Sequence, residues 1–355
     1  MRFFFIVQGE GRGHMTQAIA LAAMLRKNGH EVNQVVVGKS EHRRIPDFFL
    51  EGIEAEVTLV ESPGFVTDKK KKSVGIWRTI GLALSRFGRY HQSIRKIHHL
   101  VQEDSPDIII NFYDFIGGIY NFLKSPKAKF IPIAHQYLAG HSSFGFAEGG
   151  LLDKVSFQLG NWLTSLCAAD RLALSFQEYP DEEVAVVPPL LRKEVKELTV
   201  SDEGHLLVYL LNHGYAEEID RFHREHPEVM LHCFWDKPDV PDELPIDDTL
   251  TYHLLDGEKF LNFLASCRGY VTTAGFESVC EAMYLNKPVM LVPVDGHYEQ
   301  ACNAVDAVKA GAGVSAHSFD LEIFLDYLPN HTKGGKIFKS WCERAEQIII
   351  RNFVR

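Results

Sequence analysis

The sequence predicts an α/β protein built from two doubly wound, parallel-sheet Rossmann-like domains facing a cleft, and three observations carry that prediction. Its 355 residues suit two domains of ordinary size, each with its own core. Short continuous apolar runs alternate with stretches of helical periodicity along the chain, as expected of strands buried on both faces. Near the middle, Val187, Pro188, Pro189, Leu190, Leu191 and Arg192 lead into a charged tract ending at Gly204. Paired prolines end strand and helix alike, so a domain boundary is expected there.

The chain opens with an apolar run at 3–7, a glycine cluster and a helical pattern at 15–27, the start of a βαβ unit. The loop is Gly9, Glu10, Gly11, Arg12, Gly13, His14, and its glycines allow a ligand to approach the backbone closely. A dinucleotide fingerprint would have GxGxxG spacing and an acidic residue about 20 positions on. Here the spacing is GxGxG, and the strand at 35–37 ends in Gly38, Lys39, Ser40. That disfavours NAD and leaves a 2′-phosphate open. A strand at 55–60 is followed by a loop at 62–73 that contains four lysines at 69–72. Residues 74–101 have basic amphipathic character. They form either an interfacial element approaching anionic lipid or a packed helix with its charges in water. Strands at 108–110 and 130–134 end in polar residues. Asp114 is placed to orient a histidine or bind substrate, and His135 is a candidate base. A glycine-rich, aromatic segment at 140–150 reads as a mobile loop, and a helix at 151–168 with strands at 171–175 and 184–187 completes the first half.

The second half restarts with a strand at 206–211, a tight turn at Asn212, His213 and Gly214, and a helix at 215–226. His223 and His226, three apart, suggest a metal pair, but no third ligand accompanies them and surface positions are expected. Strands follow at 229–235, 250–255 and 270–272. Phe234 and Trp235 either stack on a ligand or fill the core. The most informative stretch is 270–304, which reads as strand, glycine turn, helix, strand, polar loop and helix. Gly275 precedes the helix 276–284, whose N-terminus suits phosphate. After the strand 289–292, Pro293 opens a loop carrying Asp295, His297, Glu299 and Gln300, so two strand ends line one crevice. Residues 336–355 have helical spacing.

Composition narrows the function. A net charge of -10 argues against a nucleic-acid partner, because phosphate backbones require a basic face. Six cysteines without a CxxC pair fit core thiols in a reducing compartment. The N-terminal apolar run is too short for a secretory signal, and none reaches the roughly 18 residues of a membrane span. The expected location is cytoplasmic, with contact at the inner face of a membrane left open.

The stretch 270–304 and the loop ending in Gly13 and His14 resemble GT-B glycosyltransferases, and most nearly the family 28 group that includes the lipid II-forming N-acetylglucosaminyltransferase. The motifs behind the resemblance lie at 9–20 and 271–304; the order of elements extends it to the whole chain. The resemblance implies an acceptor-binding domain at 1–190, a nucleotide-sugar-binding domain at 191–335 and a helix at 336–355 crossing back to the first domain. It also implies that Glu281 holds the ribose hydroxyls, that Glu299 and Gln300 hydrogen-bond the sugar, and that Asn303 closes the loop. Thr273, Ala274 and Gly275 would face the diphosphate, with Arg192 near the hinge facing phosphate as well. Gly214 occupies the place of a second family glycine loop usually richer in Gly and Ser. On the acceptor side the resemblance lays the acceptor against the loop of Gly11 and Gly13 and makes His14 the favoured catalytic base, the alternative being that His14 caps a helix or binds the loop backbone; Asp114 and His135 join that side from their strand ends.

The implied reaction is transfer of a hexosyl group from a nucleoside-diphosphate sugar, UDP-sugar first, to a hydroxyl of a glycan or lipid-linked acceptor, without cofactor or metal. Retaining members often carry glutamates eight residues apart in this segment, whereas Thr273 stands eight before Glu281, so inversion is expected. A nucleotide-sugar 2-epimerase and a non-catalytic nucleotide-sugar-binding protein share this fold. A glycine loop ending in His14 fits transfer better than epimerisation.

Overall fold

The structure is a computed structural model that describes residues 1–41, 43–63, 86–180, 182–210, 213–237, 239–332 and 335–354. The lysines at 69–72, residues 74–85 of the expected basic helix and Asn212 lie outside the described residues. The chain divides into two compact units. The first comprises residues 1–144, 148–192 and 344–355, and the second residues 145–147 and 193–343.

The first unit runs β1 (Arg2–Gln8), α1 (Arg12–Lys27), β2 (Glu31–Lys39), α2 (Asp47–Gly52), β3 (Glu56–Glu61), α3 (Phe87–Asp104), β4 (Ile108–Phe112), α4 (Phe115–Lys124), β5 (Lys129–Ala134), α5 (Leu151–Thr164), β6 (Leu172–Leu174) and β7 (Ala185–Val187). Its sheet is wholly parallel, in the order β3-β2-β1-β4-β5-β6-β7. β1 lies near the middle, with Phe5 in register with Val35 on one side and Ile110 on the other. Phe3, Phe4, Phe5, Ile6 and Val7 are fully buried, as a strand covered on both faces requires.

α1 begins at Arg12, before the periodic residues, because Gly11 is still extended and acts as its N-cap. It ends where Gly29 takes φ +74°. α3 settles the two readings of its segment for the described residues: Ile94, Ile97 and Val101 pack on Phe4, Ile6, Val36 and Ile109. Arg89 pairs with Glu41 and Glu61, so this part is a packed helix with its charges turned outward.

The sequence showed no helix between β4 and β5, yet α4 is there. Its signal was weakened by Gly117 and Gly118, and packing explains the latter. A Cβ at Gly118 would overlap the Leu163 carbonyl of α5, so the glycine is what lets the two helices touch. α5 ends at Thr164, short of the expected 168.

The second unit runs α6 (Lys193–Glu197), β8 (Leu206–Leu210), α7 (Ala216–Glu225), β9 (Leu231–Trp235), β10 (Glu243–Pro245), β11 (Leu250–Leu254), α8 (Gly257–Ser266), β12 (Gly269–Thr272), α9 (Phe276–Tyr284), β13 (Val289–Leu291), α10 (Tyr298–Lys309), β14 (Gly313–Ser315), α11 (Leu321–Tyr327) and α12 (Gly335–Glu343). The sheet order is β10-β11-β9-β8-β12-β13-β14, parallel except for β10, which pairs antiparallel at the edge. Phe234 and Trp235 are core residues, at 0% and 3% exposure. The C-terminal periodicity resolves into two helices, α12 and α13 (Ala345–Val354). α13 belongs to the first unit, where the Phe353 ring meets Phe3 edge-on at 5.3 Å.

Candidate active site

Both sheets reverse their strand order at one point, between β1 and β4 in the first unit and between β8 and β12 in the second. The carboxyl ends of strands at such a reversal form the ligand crevice of an open α/β sheet, because the following helices leave on opposite faces. Each motif singled out in the sequence begins at one of these reversals, the 9–14 loop after β1 and the 273–275 turn after β12.

In the first unit the loop after β1 crosses the end of β2 closely. The Gly9 N–H donates to the Gly38 carbonyl at 2.8 Å, and a Cβ at Gly9 would come within 2.8 Å of Val37. Gly11, by contrast, faces open space. Gly13 and His14 lie in the first turn of α1. The His14 Nδ1 is 3.3 Å from the Gln17 Oε1, and its ring stacks on Tyr113 at 5.7 Å between centroids. An amide oxygen only accepts, so Nδ1 carries the proton and Nε2 keeps a lone pair. Burial lowers the His14 pKa to about 4, partly opposed by the Gln17 hydrogen bond. The imidazole is therefore neutral near pH 7 and able to take a proton.

Asp114 follows β4 and caps α4. Its Oδ1 accepts from the Ile116 N–H and from the Ser62 hydroxyl, each at 2.8 Å. A Cβ at Gly38 would overlap its Oδ2, so that glycine makes room for the carboxylate. Burial raises the Asp114 pKa to about 7, against the Ser62 and backbone hydrogen bonds that lower it. These are the contacts of a helix cap. The residue of this turn that touches His14 is the preceding Tyr113, held at φ +57° with its hydroxyl donating to Asn161 at 2.6 Å.

His135 begins the 3-10 turn after β5 and is 2% exposed. Its Nδ1 donates to the Leu174 carbonyl at 2.8 Å, and its ring meets Phe176 edge-on. It is anchored to β6, whereas His14 is held by Gln17 and Tyr113.

In the second unit β12 ends in buried Thr272, Thr273 after it is buried as well, and Ala274 adopts φ +58°, a conformation L-residues other than Asn and Asp rarely take. Gly275 is the N-cap of α9, and a Cβ there would find only the Ser278 hydroxyl, at 4.0 Å. The left-handed residue thus presents an open helix N-terminus at the sheet reversal. The turn is fastened from behind by Asn303 of α10, whose side-chain amide donates to the Ala274 carbonyl at 3.1 Å.

Glu281 lies on α9 at 3% exposure, a buried carboxylate close enough to Tyr270 to act on its hydroxyl electrostatically. Glu299 and Gln300 are in the first turn of α10, not in the loop where the sequence placed them. The Gln300 Oε1 accepts from the Val294 N–H at 2.9 Å and folds the loop back, which leaves its amide as a donor group. Gly214 is exposed in a 3-10 turn after β8, and Arg192 is half-buried at the end of the first unit's 148–192 stretch.

One expectation is corrected. His223 is not at the surface but 6% exposed, its Nε2 2.7 Å from Asp247 Oδ2, while His226 pairs with Glu322. Each histidine has a carboxylate of its own, so the two do not converge. Among the described residues no group of three His, Cys, Asp or Glu is arranged to hold a metal ion.

Sequence reasoning missed Tyr113, Ser62 and Gly38. Each acts through a contact between different strand ends, which leaves no periodic or local signal.

The sequence model of glycosyl transferase family 1 matches residues 1–330. The chain belongs to that family. Two uncharacterized glycosyltransferases of Methanosarcina acetivorans are similar to this family 1 chain. One is 23% identical over 340 residues, covering 88% of this chain and 83% of the relative. The other is 21% identical over 359 residues, covering 92% and 88%.

Solved structures with the same fold include the glycotransferase of kitacinnamycin, with TM-score 0.65, 14% identity and 99% and 98% coverage of the two chains. The spinosyn rhamnosyltransferase SpnG gives 0.63, 14% and full coverage of both, and it has also been solved with thymidine diphosphate. MurG of Acinetobacter baumannii gives 0.58, 16%, and 99% and 98%. The family 1 chain is a glycosyltransferase of GT-B fold, as its resemblance implied.

Proposed function

We propose that this glycosyltransferase moves a hexosyl group from a nucleoside-diphosphate sugar, UDP-sugar first, to a hydroxyl of a glycan or lipid-linked acceptor, with inversion and without a metal. The observation that carries the reading is the turn at Ala274 and Gly275. A strained left-handed residue sets an open helix N-terminus at the reversal of the second sheet. Backbone N–H groups and the positive end of α9 suit a diphosphate and stabilise it as it leaves. The thymidine diphosphate complex of SpnG supports a nucleoside diphosphate as the ligand class.

In this reading Glu281 accepts from the ribose hydroxyls, and Glu299 with the Gln300 amide holds the sugar. Arg192 and Gly214 serve the phosphates, and Thr273 faces the diphosphate with Ala274 and Gly275. The acceptor lies against Gly11 and Gly13. Its hydroxyl oxygen bonds to the anomeric carbon as the bond from that carbon to the diphosphate oxygen breaks. The electron pair leaves with the diphosphate, and the acceptor proton passes to His14 Nε2. One displacement inverts the anomeric centre. Asp114 positions Tyr113, and through it His14, while His135 shapes the end of β5.

Calorimetry against UDP, TDP, GDP, CMP, NAD and NADP tests the donor site. A nucleoside diphosphate should bind the wild-type chain and lose about 10-fold or more in affinity to Glu281→Ala, the scale of a buried charge-assisted hydrogen bond. Binding of a dinucleotide alone would sink the reading.

A further inference from the structure

His14 is placed from outside its own helix as well as by Gln17. The Tyr113 ring lies along the imidazole with 5.7 Å between centroids and 19° between planes. Tyr113 is itself held at three points. Its carbonyl accepts from the Gln8 side-chain amide at 3.3 Å, and Tyr137 meets its ring at 5.6 Å and 62°, which limits rotation of the ring. Its hydroxyl donates to the Asn161 Oδ1 at 2.6 Å. Tyr113 is buried, and a buried phenol keeps its place by such a bond.

Asn161 can hold that hydroxyl because it is held in turn. Its side-chain amide donates to the Gln136 carbonyl at 3.0 Å, so Oδ1 is the end left to accept. It stands on α5 one turn before Thr164, on the same face. The Thr164 carbonyl accepts from the Asn111 side chain at 2.7 Å, and its hydroxyl oxygen accepts from the Tyr137 hydroxyl at 2.9 Å. Asn111 belongs to β4, two residues before Tyr113. The end of β4 therefore fixes α5, and α5 fixes the ring that follows β4. A side chain carried on a helix pinned in this way is placed more exactly than one on a free loop.

We propose that Asn161 is a positioning residue of the transfer reaction, which holds the Tyr113 ring against His14 and so keeps His14 Nε2 directed at the acceptor hydroxyl. The inference rests on His14 as the base. Misplacing a reacting group by about 1 Å can cost about 100-fold in rate, so a base on the first turn of a helix gains from a wall behind it. The wall has a second effect. As the acceptor proton reaches Nε2 the imidazole becomes a cation, and the face of an aromatic ring within about 6 Å attracts a cation.

The test is proton–carbon correlation NMR of the full chain with isotope-labelled histidine. The chain has 17 histidines, so the His14 signals are identified as those missing from His14→Ala. Asn161→Ala should shift them, because the Tyr113 ring current no longer acts from a fixed place. Tyr113→Phe removes one oxygen and leaves the Asn161 bond to Gln136, and it should shift them in the same direction. The double variant should go no further than either, since both cut one link, whereas separate structural effects would add. Circular dichroism checks that the variants fold. Turnover is followed with UDP-glucose as donor probe and octyl glucoside as acceptor probe. Asn161→Ala should lower kcat about tenfold with the donor KM unchanged, and should lower it no further in a His14→Ala chain. The proposal falls if the His14 signals stay in place in both single variants, or if Asn161→Ala slows the His14→Ala chain as much as it slows the wild type. A His14→Ala chain as fast as the wild type removes the base reading, and the proposal with it, wherever the signals lie.

Discussion

Burial acts on His14 and Asp114 in the same physical sense and with opposite chemical results. It disfavours the charged form of each, so the histidine pKa falls to about 4 and the aspartate pKa rises to about 7. If His14 is the base, the acid limb of the rate profile should lie near pH 4 and not at the 6.5 of a free imidazole. His14→Ala should lower kcat by about 100- to 10,000-fold, as expected for loss of a general base, with donor affinity by calorimetry unchanged. Asp114 supplies a stability test. Its folded pKa is raised, so its contribution is fully present below the unfolded value of 3.8 and is lost as pH rises through about 7. Asp114→Asn keeps an acceptor oxygen for Ser62 and Ile116 and does not titrate. Its urea midpoint, compared with that of the wild type, should therefore be relatively higher at pH 8 than at pH 5.

The turns between strand and helix carry the strain of this protein. Tyr113 and Ala274, both at positive φ, stand at equivalent places, one just before α4 and the other just before α9. Ala274→Val should reduce the unfolding free energy by about 1 to 3 kcal/mol, because a β-branched residue tolerates φ +58° poorly and the site is fully buried. Ala274→Gly should stay within about 1 kcal/mol of the wild type, its relief of strain offset by the entropy of glycine. Denaturant titration of both variants decides. Such turns were only half legible. Gly275 announced the end of β12, whereas nothing local marks Ala274 as left-handed, since alanine is no turn signal. The same limit hid α4, whose two glycines look like helix breakers until Leu163 is seen packed against one of them.

Across the whole chain, the last residues complete the first unit. Phe353 is 4% exposed and packs on Phe3 of β1, so Phe353→Ala should cost about 3 to 5 kcal/mol of stability, read as a lowered unfolding midpoint. A second collective property concerns acid. His205, His232 and His253 cluster among aromatic rings, with the His232 Nδ1 3.0 Å from the His253 Nε2. Burial lowers the pKa of all three, in His232 and His253 to about 4. A lowered histidine pKa means that the unfolded chain binds protons first. The contribution of these histidines is therefore whole above about pH 6.5 and declines as pH falls toward 4, which urea midpoints of Asp114→Asn across that window should show, since that variant lacks the opposing titration of Asp114.

The sequence by itself determined the strand and helix alternation, the two glycine-bearing turns and the kinship with GT-B glycosyltransferases. Buried parallel strands and the turns that end them write their pattern locally, in runs such as Phe3 to Val7 and in the position of Gly275. Tertiary structure alone decided that Tyr113 stacks on His14, that Gly38 makes room for Asp114, that Asn303 fastens the Ala274 turn and that α5 turns its leucines outward. Each of these depends on which strand ends and helix faces become neighbours. That is fixed by the packing of whole sheets and not by the residues on either side in the chain.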